Sequence, residues 1–403
     1  MKEIAVIGLD GRPLDAKAEE LVDRAILVAG GERHLQALGV DPERAGVLKG
    51  DLSQALEKIG GSSGPVAVLA SGDPGFFGIV RLLGERFGPE NLRIVPALSS
   101  VARAFAHAGL PWDDAVTVSA HGRDSRRAVN VCRAHPKVAV LTSPSFGPAE
   151  LAEALDGLDR TFLVAERLGE SDERTYKGTD KEIVKMEWED PNVVVVYDAV
   201  RAIGGRGTYS GFPQEAGRGP WALSEGEFEH RSAMVTKPEI RAFILARLGP
   251  GIGDLVWDIG AGSGSVAVEC ARFGAAAIAV EREAESCARI RQNAARHNVY
   301  VEVIEDEAPA ALYGLPEPDA VFIGGTGENF EEIVKLAATS ARRSVVLSLV
   351  TLERVVPAGE ILTSCDLAVE ATFLQASRAK SIGALHRLAA ETPVFVVSGS
   401  NRQ

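Results

Sequence analysis

VWDIGAGSGSVAVE, Val256 to Glu269, reads as an apolar strand that runs through a glycine loop into a helix. Gly260, Gly262 and Gly264 remove side chains where backbone must approach a ligand, and they permit positive φ angles. Ala261 and Ser263 between them are small. A loop of this kind seats a nucleotide. The next apolar run ends in Glu281, 17 residues past Gly264, where an acid can accept hydrogen bonds from ribose hydroxyls. Two features separate the possible nucleotides. The glycines follow G-x-G-x-G instead of G-x-G-x-x-G, and Asp258 stands just before the loop. Both favour S-adenosylmethionine over a nicotinamide dinucleotide. The plain alternative is a glycine turn that packs and binds nothing.

At 403 residues the chain exceeds one ordinary core, so two domains are expected. Its formal net charge of −13 argues against a nucleic-acid partner, which needs a basic face. An anionic small molecule held by local cations stays open. Two short basic runs could serve: HGRDSRR, with Arg123, Arg126 and Arg127, and SRAKSIGALHR, with Arg378, Lys380, His386 and Arg387. A solvated charged face is the alternative for each. Apolar runs such as Val193–Val196 are too short to span a membrane. MKEIAVIGLD, a first strand flanked by Glu3 and Asp10, lacks the small-residue cleavage site of a secretory signal. No membrane contact and a cytoplasmic location are therefore expected. Cys132, Cys270, Cys287 and Cys365 form no C-x-x-C pair, so they read as small buried hydrophobes with no metal site and no disulfide framework.

Apolar, β-rich runs alternate with helical stretches through both halves: IAVIGL, AILVAG, VAVLAS, LRIVPA, VAVLTS, TFLVAE and NVVVVYD first, then VWDIG, AIAVE, VEVIE, AVFIGG, SVVLSLV and PVFVVSG. That is an α/β rhythm. Between them, GGRGTYSGFPQEAGRGPWALSEGEFEHR reads as a linker. The expected domains are 1–203 and 231–403, joined by 204–230. KPEIRAFILARL predicts a helix with Pro238 in its first turn.

DAVFIGG, Asp319 to Gly325, lacks the D/N-P-P-Y/F motif by which base-amino methyltransferases resemble one another. A nucleic-acid substrate recedes further. VTKPEIRAFILARL, WDIGAGSGSVAVE, DEAPAAL, DAVFIGG and LQASRAKSIGALHRLAAETPVFVVSG together resemble, in order, the decarboxylating half of the precorrin-6Y C5,15-methyltransferase family of the corrin pathway. The resemblance implies a Rossmann-like class I S-adenosylmethionine methyltransferase fold. It also implies that Thr236, Gly260 to Gly264, Glu281, Glu307 and Ala308 touch the cofactor. Glu281 and Glu307 stand where aspartate is usual in the family.

LASGDPGFFGIVRLL, Leu69 to Leu83, puts Gly72-Asp73-Pro74-Gly75 at a strand end before an apolar helix. A plain turn would do this too. With PALSSVARAFAHAGLPWDDAVTVSAHGR, VLTSPSFGPAELAEAL and VAERLGESDER following in order, the first half resembles the tetrapyrrole (corrin/porphyrin) methylase family. That likeness implies a two-subdomain tetrapyrrole-methylase fold with a second S-adenosylmethionine pocket. Asp73, Gly75, Phe76, Ser99, Ser100, Thr142 and Ala165 would line it. Gly8-Leu-Asp-Gly-Arg12 replaces the family's more glycine-rich G-x-G-P-G.

The resemblance implies two methylations of one precorrin, precorrin-6B. Carbon 5 falls to the N-terminal domain, and carbon 15, with loss of the ring-C acetate as carbon dioxide, to the C-terminal domain. No metal is needed for transfer from a sulfonium. Because the substrate carries many carboxylates and the protein is acidic, Arg378, Lys380, His386 and Arg387 become carboxylate-clamp candidates. His121 and His386 are proton-shuttle candidates, with simple hydrogen bonding the alternative. Rival readings are the cobalt-precorrin equivalent, a non-catalytic S-adenosylmethionine sensor, and an NAD(P) oxidoreductase. Both half-enzymes resemble families that self-associate, so a homo-oligomer is expected.

Overall fold

Ile4 to Ile7 are buried on both faces, as a strand inside a parallel sheet must be, and the sheet around them organises the first half of the chain. The structure, a computed structural model, describes residues 3–50, 52–203, 220–231 and 235–401. Two compact units divide it: 1–112 with 117–123 and 139–203, and 113–116 with 124–138 and 204–403. Residues 204–219 of the expected linker lie outside the described residues.

In the first unit β1 (Ile4–Leu9), β2 (Leu27–Gly30), β3 (Ala45–Val47), β4 (Val66–Ser71) and β5 (Leu92–Val95) form a sheet of order β3-β2-β4-β1-β5, and every pairing in it is parallel. Period-two alternation assigns Ala5 and Ile7 to one core, and Ile4 and Val6 to the other, where Ile59 and Leu83 cover them. A second sheet, of order β6-β7-β10-β8-β9, comprises β6 (Val116–Ser119), β7 (Lys137–Leu141), β8 (Thr161–Glu166), β9 (Arg174–Thr179) and β10 (Asn192–Tyr197). Its β8 runs antiparallel to both β9 and β10. Two sheets in this unit match the two-subdomain expectation.

The second unit holds β11 (Leu255–Ile259), β12 (Ala276–Glu281), β13 (Glu302–Glu305), β14 (Ala320–Ile323), β15 (Ser344–Leu349), β16 (Leu367–Leu374), β17 (Ser377–Ile382), β18 (Leu385–Ala390) and β19 (Val394–Asn401). Seven of them form one sheet, β13-β12-β11-β14-β15-β19-β16, parallel from β13 to β15. β19 is antiparallel to both of its neighbours. The order reverses direction between β11 and β14, which is where a doubly wound sheet opens a crevice at the carboxyl ends of its strands. This is the Rossmann-like fold expected from the glycine loop. β17 and β18 form a separate two-stranded hairpin.

The predicted helix appears at Pro238–Leu248. Its Arg241 is wholly buried against Glu269. Glu269 also accepts the amides of Ala222 and Leu223, and Phe228 lies in the core beside them. The stretch 220–231 thus packs on the second unit. Cys132, Cys270 and Cys287 are buried as expected, whereas Cys365 is half-buried.

Candidate active sites

In the second unit the loop after β11 is shaped by what it excludes. Gly260 sits at φ +66, and a Cβ there would fall 2.5 Å from the Gly325 carbonyl oxygen. The ends of β11 and β14 therefore meet backbone to backbone. Gly264, at φ +69, precedes helix Ser265–Arg272, and a side chain there would strike Ile290. The Glu281 carboxylate, at the end of β12, accepts the Gly262 amide at 2.9 Å and the Glu283 amide at 3.0 Å. The acid reads the loop before any ligand does.

These groups border a cavity of about 290 Å3, lined by Gly260, Gly262, Glu281, Glu307, Ala308 and Thr326, among others. Ala261, Ser263 and Gly264 build the loop behind it. The Ala261 carbonyl accepts the Gly264 amide at 2.8 Å, and the Ser263 carbonyl accepts Asn293 Nδ2 at 2.8 Å. Thr236 is outside the lining, and its carbonyl accepts the Arg241 guanidinium. Arg282 ion-pairs with Glu307 at 2.9 Å. Below the loop, fully buried Asp258 accepts the Ala267 amide at 2.9 Å through Oδ2, while Oδ1 has no partner among the described residues. Burial pushes its carboxyl up to about 7, opposed by that amide bond and reinforced by the charge of Glu281.

In the first unit the carboxyl ends of the strands border a cavity of about 330 Å3. Ser100, Thr142, Ala165 and His121 line it. The Thr142 hydroxyl bonds the Asn192 carbonyl oxygen at 2.9 Å. Asp73, Gly75, Phe76 and Ser99 stand beside this lining. The Asp73 carboxylate accepts the Gly75 amide at 2.8 Å, making a local turn. Ser99 caps helix Ser100–Ala108 through the Ala102 amide. Gly72 and Phe77 face the cavity in their place, with Arg123 over the Phe77 ring at 5.9 Å. The loop's Asp10 also faces the cavity, and hydrogen bonding to Arg12 holds its carboxyl below the usual range.

Three cations, Arg33, Arg103 and Arg123, line this cavity. The basic run HGRDSRR pointed to Arg123; Arg33 and Arg103 escaped the sequence reading. Arg33 follows strand β2 by three residues, and that position was the available signal. Of the second basic run, none lies in either cavity lining. Arg378, Lys380, His386 and Arg387 all occupy the β17–β18 hairpin, where Lys380 stands directly across from Arg387 and His386 across from Ser381. Lys380, His386 and Arg387 are exposed. Arg378 is held by Glu239, in a two-pronged contact of 3.1 and 2.8 Å, and by Glu225 at 2.8 Å. Those bonds push its pKa up.

Residues 8–184 match the family model of tetrapyrrole (corrin/porphyrin) methylases, and residues 226–400 that of the precorrin methyltransferase domain. A precorrin-6Y C(5,15)-methyltransferase (decarboxylating) of Sinorhizobium sp is 38% identical over 351 residues, 84% of this chain and 81% of the relative. The chain belongs to the precorrin-6Y C(5,15)-methyltransferase family. As a member of that family it is a decarboxylating, S-adenosylmethionine-dependent C-methyltransferase of cobalamin biosynthesis. Two shorter relatives each resemble part of it. The cobalt-precorrin-7 C(5)-methyltransferase of Salmonella typhimurium is 33% identical, covering 49% of this chain and 99% of its own length. A probable cobalt-precorrin-6B C(15)-methyltransferase (decarboxylating) of Pyrobaculum calidifontis is 31% identical, covering 41% and 87%. No helix among the described residues is long and apolar enough to cross a membrane.

Proposed function

We propose that each unit carries one methyltransferase site with its own S-adenosylmethionine, acting on one metal-free precorrin-6B. The first unit would methylate carbon 5; the second would methylate carbon 15 and release the ring-C acetate as carbon dioxide. The observation that carries this reading is the pair of separate cavities, each bordered by strand ends of its own parallel sheet.

The donor supplies an electrophilic methyl group on sulfur. In the second unit Gly260, Gly262, Glu281 and Ala308 would hold it, the glycines leaving room and Glu281 offering its remaining lone pairs to ribose hydroxyls. In the first unit Ser100, Thr142 and Ala165 hold it, and Arg33, Arg103 and Arg123 face the substrate's carboxylates. The protein's work is alignment, exclusion of water and custody of a proton. For the second unit, Lys380 and Arg387 serve as the carboxylate clamp. Two like charges directly across a hairpin repel, and an anion between them removes that cost. With Arg378 committed to Glu225 and Glu239, its part is to fix the hairpin to helix Pro238–Leu248. The protein acts as a homo-oligomer in the cytoplasm and requires no resident metal.

Mass spectrometry of metal-free precorrin-6B incubated with S-adenosylmethionine and the full chain tests the reading. Two methyl gains with loss of one carbon dioxide support it. No change in the metal-free substrate, with change in its cobalt form, moves the chain to the cobalt-containing series.

A further inference from the structure

Methylation at a conjugated ring carbon that bears hydrogen leaves a proton to be removed; His121 lines the first unit's cavity as one candidate for that role, and a second route lies at Ser71. Asp10 is tied to Arg12 and to the Leu98 amide, and arginines do not accept protons. Ser71, the last residue of β4, lines the cavity and is bonded twice behind it. Arg33 Nη2 donates to its Oγ at 2.8 Å, and His34 Nε2 lies 3.2 Å from the same oxygen. Arg33 Nη1 is anchored in turn on Glu170 at 2.9 Å.

A guanidinium only donates, so Ser71 Oγ accepts from Arg33 and becomes a stronger donor of its own proton. Facing it is the half-buried His34 ring. We infer that Ser71 and His34 form the proton relay of the N-terminal methylation, with Arg33 fixing the direction of the Ser71 hydroxyl. This rests on the assignment of a ring-carbon methylation to that cavity. The balance is complete: the ring carbon's electron pair forms the new carbon–carbon bond, and the methyl–sulfur pair leaves with sulfur. The pair of the ring C–H bond then returns to the macrocycle, its proton passes to Ser71 Oγ, and the Ser71 proton passes to His34 Nε2. His34 ends as an imidazolium, and Ser71 is unchanged.

The surroundings keep the acceptor neutral beforehand. Burial lowers His34 to about 4, with the Arg33 charge in the same sense and Glu170 opposing. Strands β2, β3 and β4, on which helix Glu32–Ala37 packs, carry no ionisable side chain. His34 is a positioning residue for the reactive hydroxyl, so its test needs readouts beyond rate. In the full chain with metal-free precorrin-6B, His34→Gln and Ser71→Ala should each slow the methyl gain without carbon dioxide loss, counted as the second, about 100-fold, the scale of general base catalysis. They should also raise its sensitivity to deuterium at the accepting carbon. The methyl gain coupled to carbon dioxide loss and the S-adenosylmethionine affinities by calorimetry should stay within about threefold. Nitrogen NMR of the ligand-free wild type should show His34 with a bare Nε2 at pH 5, its signal moving in Ser71→Ala. A His34 protonated on Nε2 at neutral pH, or a His34→Gln enzyme with undiminished second methylation, overturns the relay alone. A wild type that never adds the second methyl overturns the carbon-5 assignment, and the relay with it.

Discussion

Glu281 accepts the amide of Gly262 at 2.9 Å, so the acid that ends β12 holds the loop that follows β11. One carboxylate thereby shapes the loop and keeps further lone pairs at the cavity it lines. Glu281→Ala should weaken S-adenosylmethionine binding at the second unit by roughly 10- to 100-fold, the loss expected when charged hydrogen bonds disappear. Calorimetry on the full chain should show one of two binding events weakened and the other unchanged. Nicotinamide dinucleotides should compete with neither.

Arg241 and Glu269 are fully buried, 2.9 Å apart, and Glu269 also holds the amides of Ala222 and Leu223. Glu269→Ala strands a guanidinium in the core. The cost should be about 3 to 5 kcal/mol, visible as a lower melting transition for the second unit. Replacing both residues with apolar ones of similar size should recover much of that loss.

Asp258 takes up a proton on folding across the interval from its ordinary value of 3.8 to about 7. Its contribution to stability is full below pH 3.8 and is lost as pH rises through 7. Wild-type second-unit stability should therefore fall between pH 5 and pH 8 from this source. Asp258→Asn, which keeps an acceptor for the Ala267 amide, should flatten that dependence. Denaturant titrations at the two pH values measure it; equal slopes in both proteins would refute the burial argument.

Lys380 and Arg387 face each other across the hairpin. Reversing either to glutamate should raise the KM for the precorrin about tenfold in the carbon-15 step, and leave S-adenosylmethionine affinity intact. The wild-type KM should rise with salt, because exposed charges are screened. Arg378→Ala should instead act through stability, loosening the hairpin from Glu225 and Glu239.

The strands that were legible in the sequence are the ones buried on both faces. VWDIG and NVVVVYD are dominated by large apolar residues, which have nowhere to go but a core. β9 and β18 escaped because RTYKGT and LHRLAA expose most of their side chains, leaving no apolar stripe to read. SRAKSIGALHR was read for its charge, and its turn at Gly383, φ +56, went unread. Arg241 looked like one more cation on a helix. Its burial depends on Glu269, 28 residues on, a pairing that no local pattern encodes. The glycine loop was legible because its function is to have no side chains. Ser71, Arg33 and His34 were not, because three ordinary residues become a chain of hydrogen bonds only once β2 and β4 lie side by side.

The backbone contact between Gly260 and Gly325 has a mutational corollary. A single methyl group at Gly260 would overlap the Gly325 carbonyl just past the neighbouring strand, so no residue with a side chain fits there without a backbone shift. In the first unit the same holds for Gly11, whose Cβ would fall 1.8 Å from the Gly169 carbonyl oxygen. Any side chain at either position requires the facing backbone to shift. A saturation library should show tolerance at the arginines that line the first unit's cavity beside intolerance at these glycines.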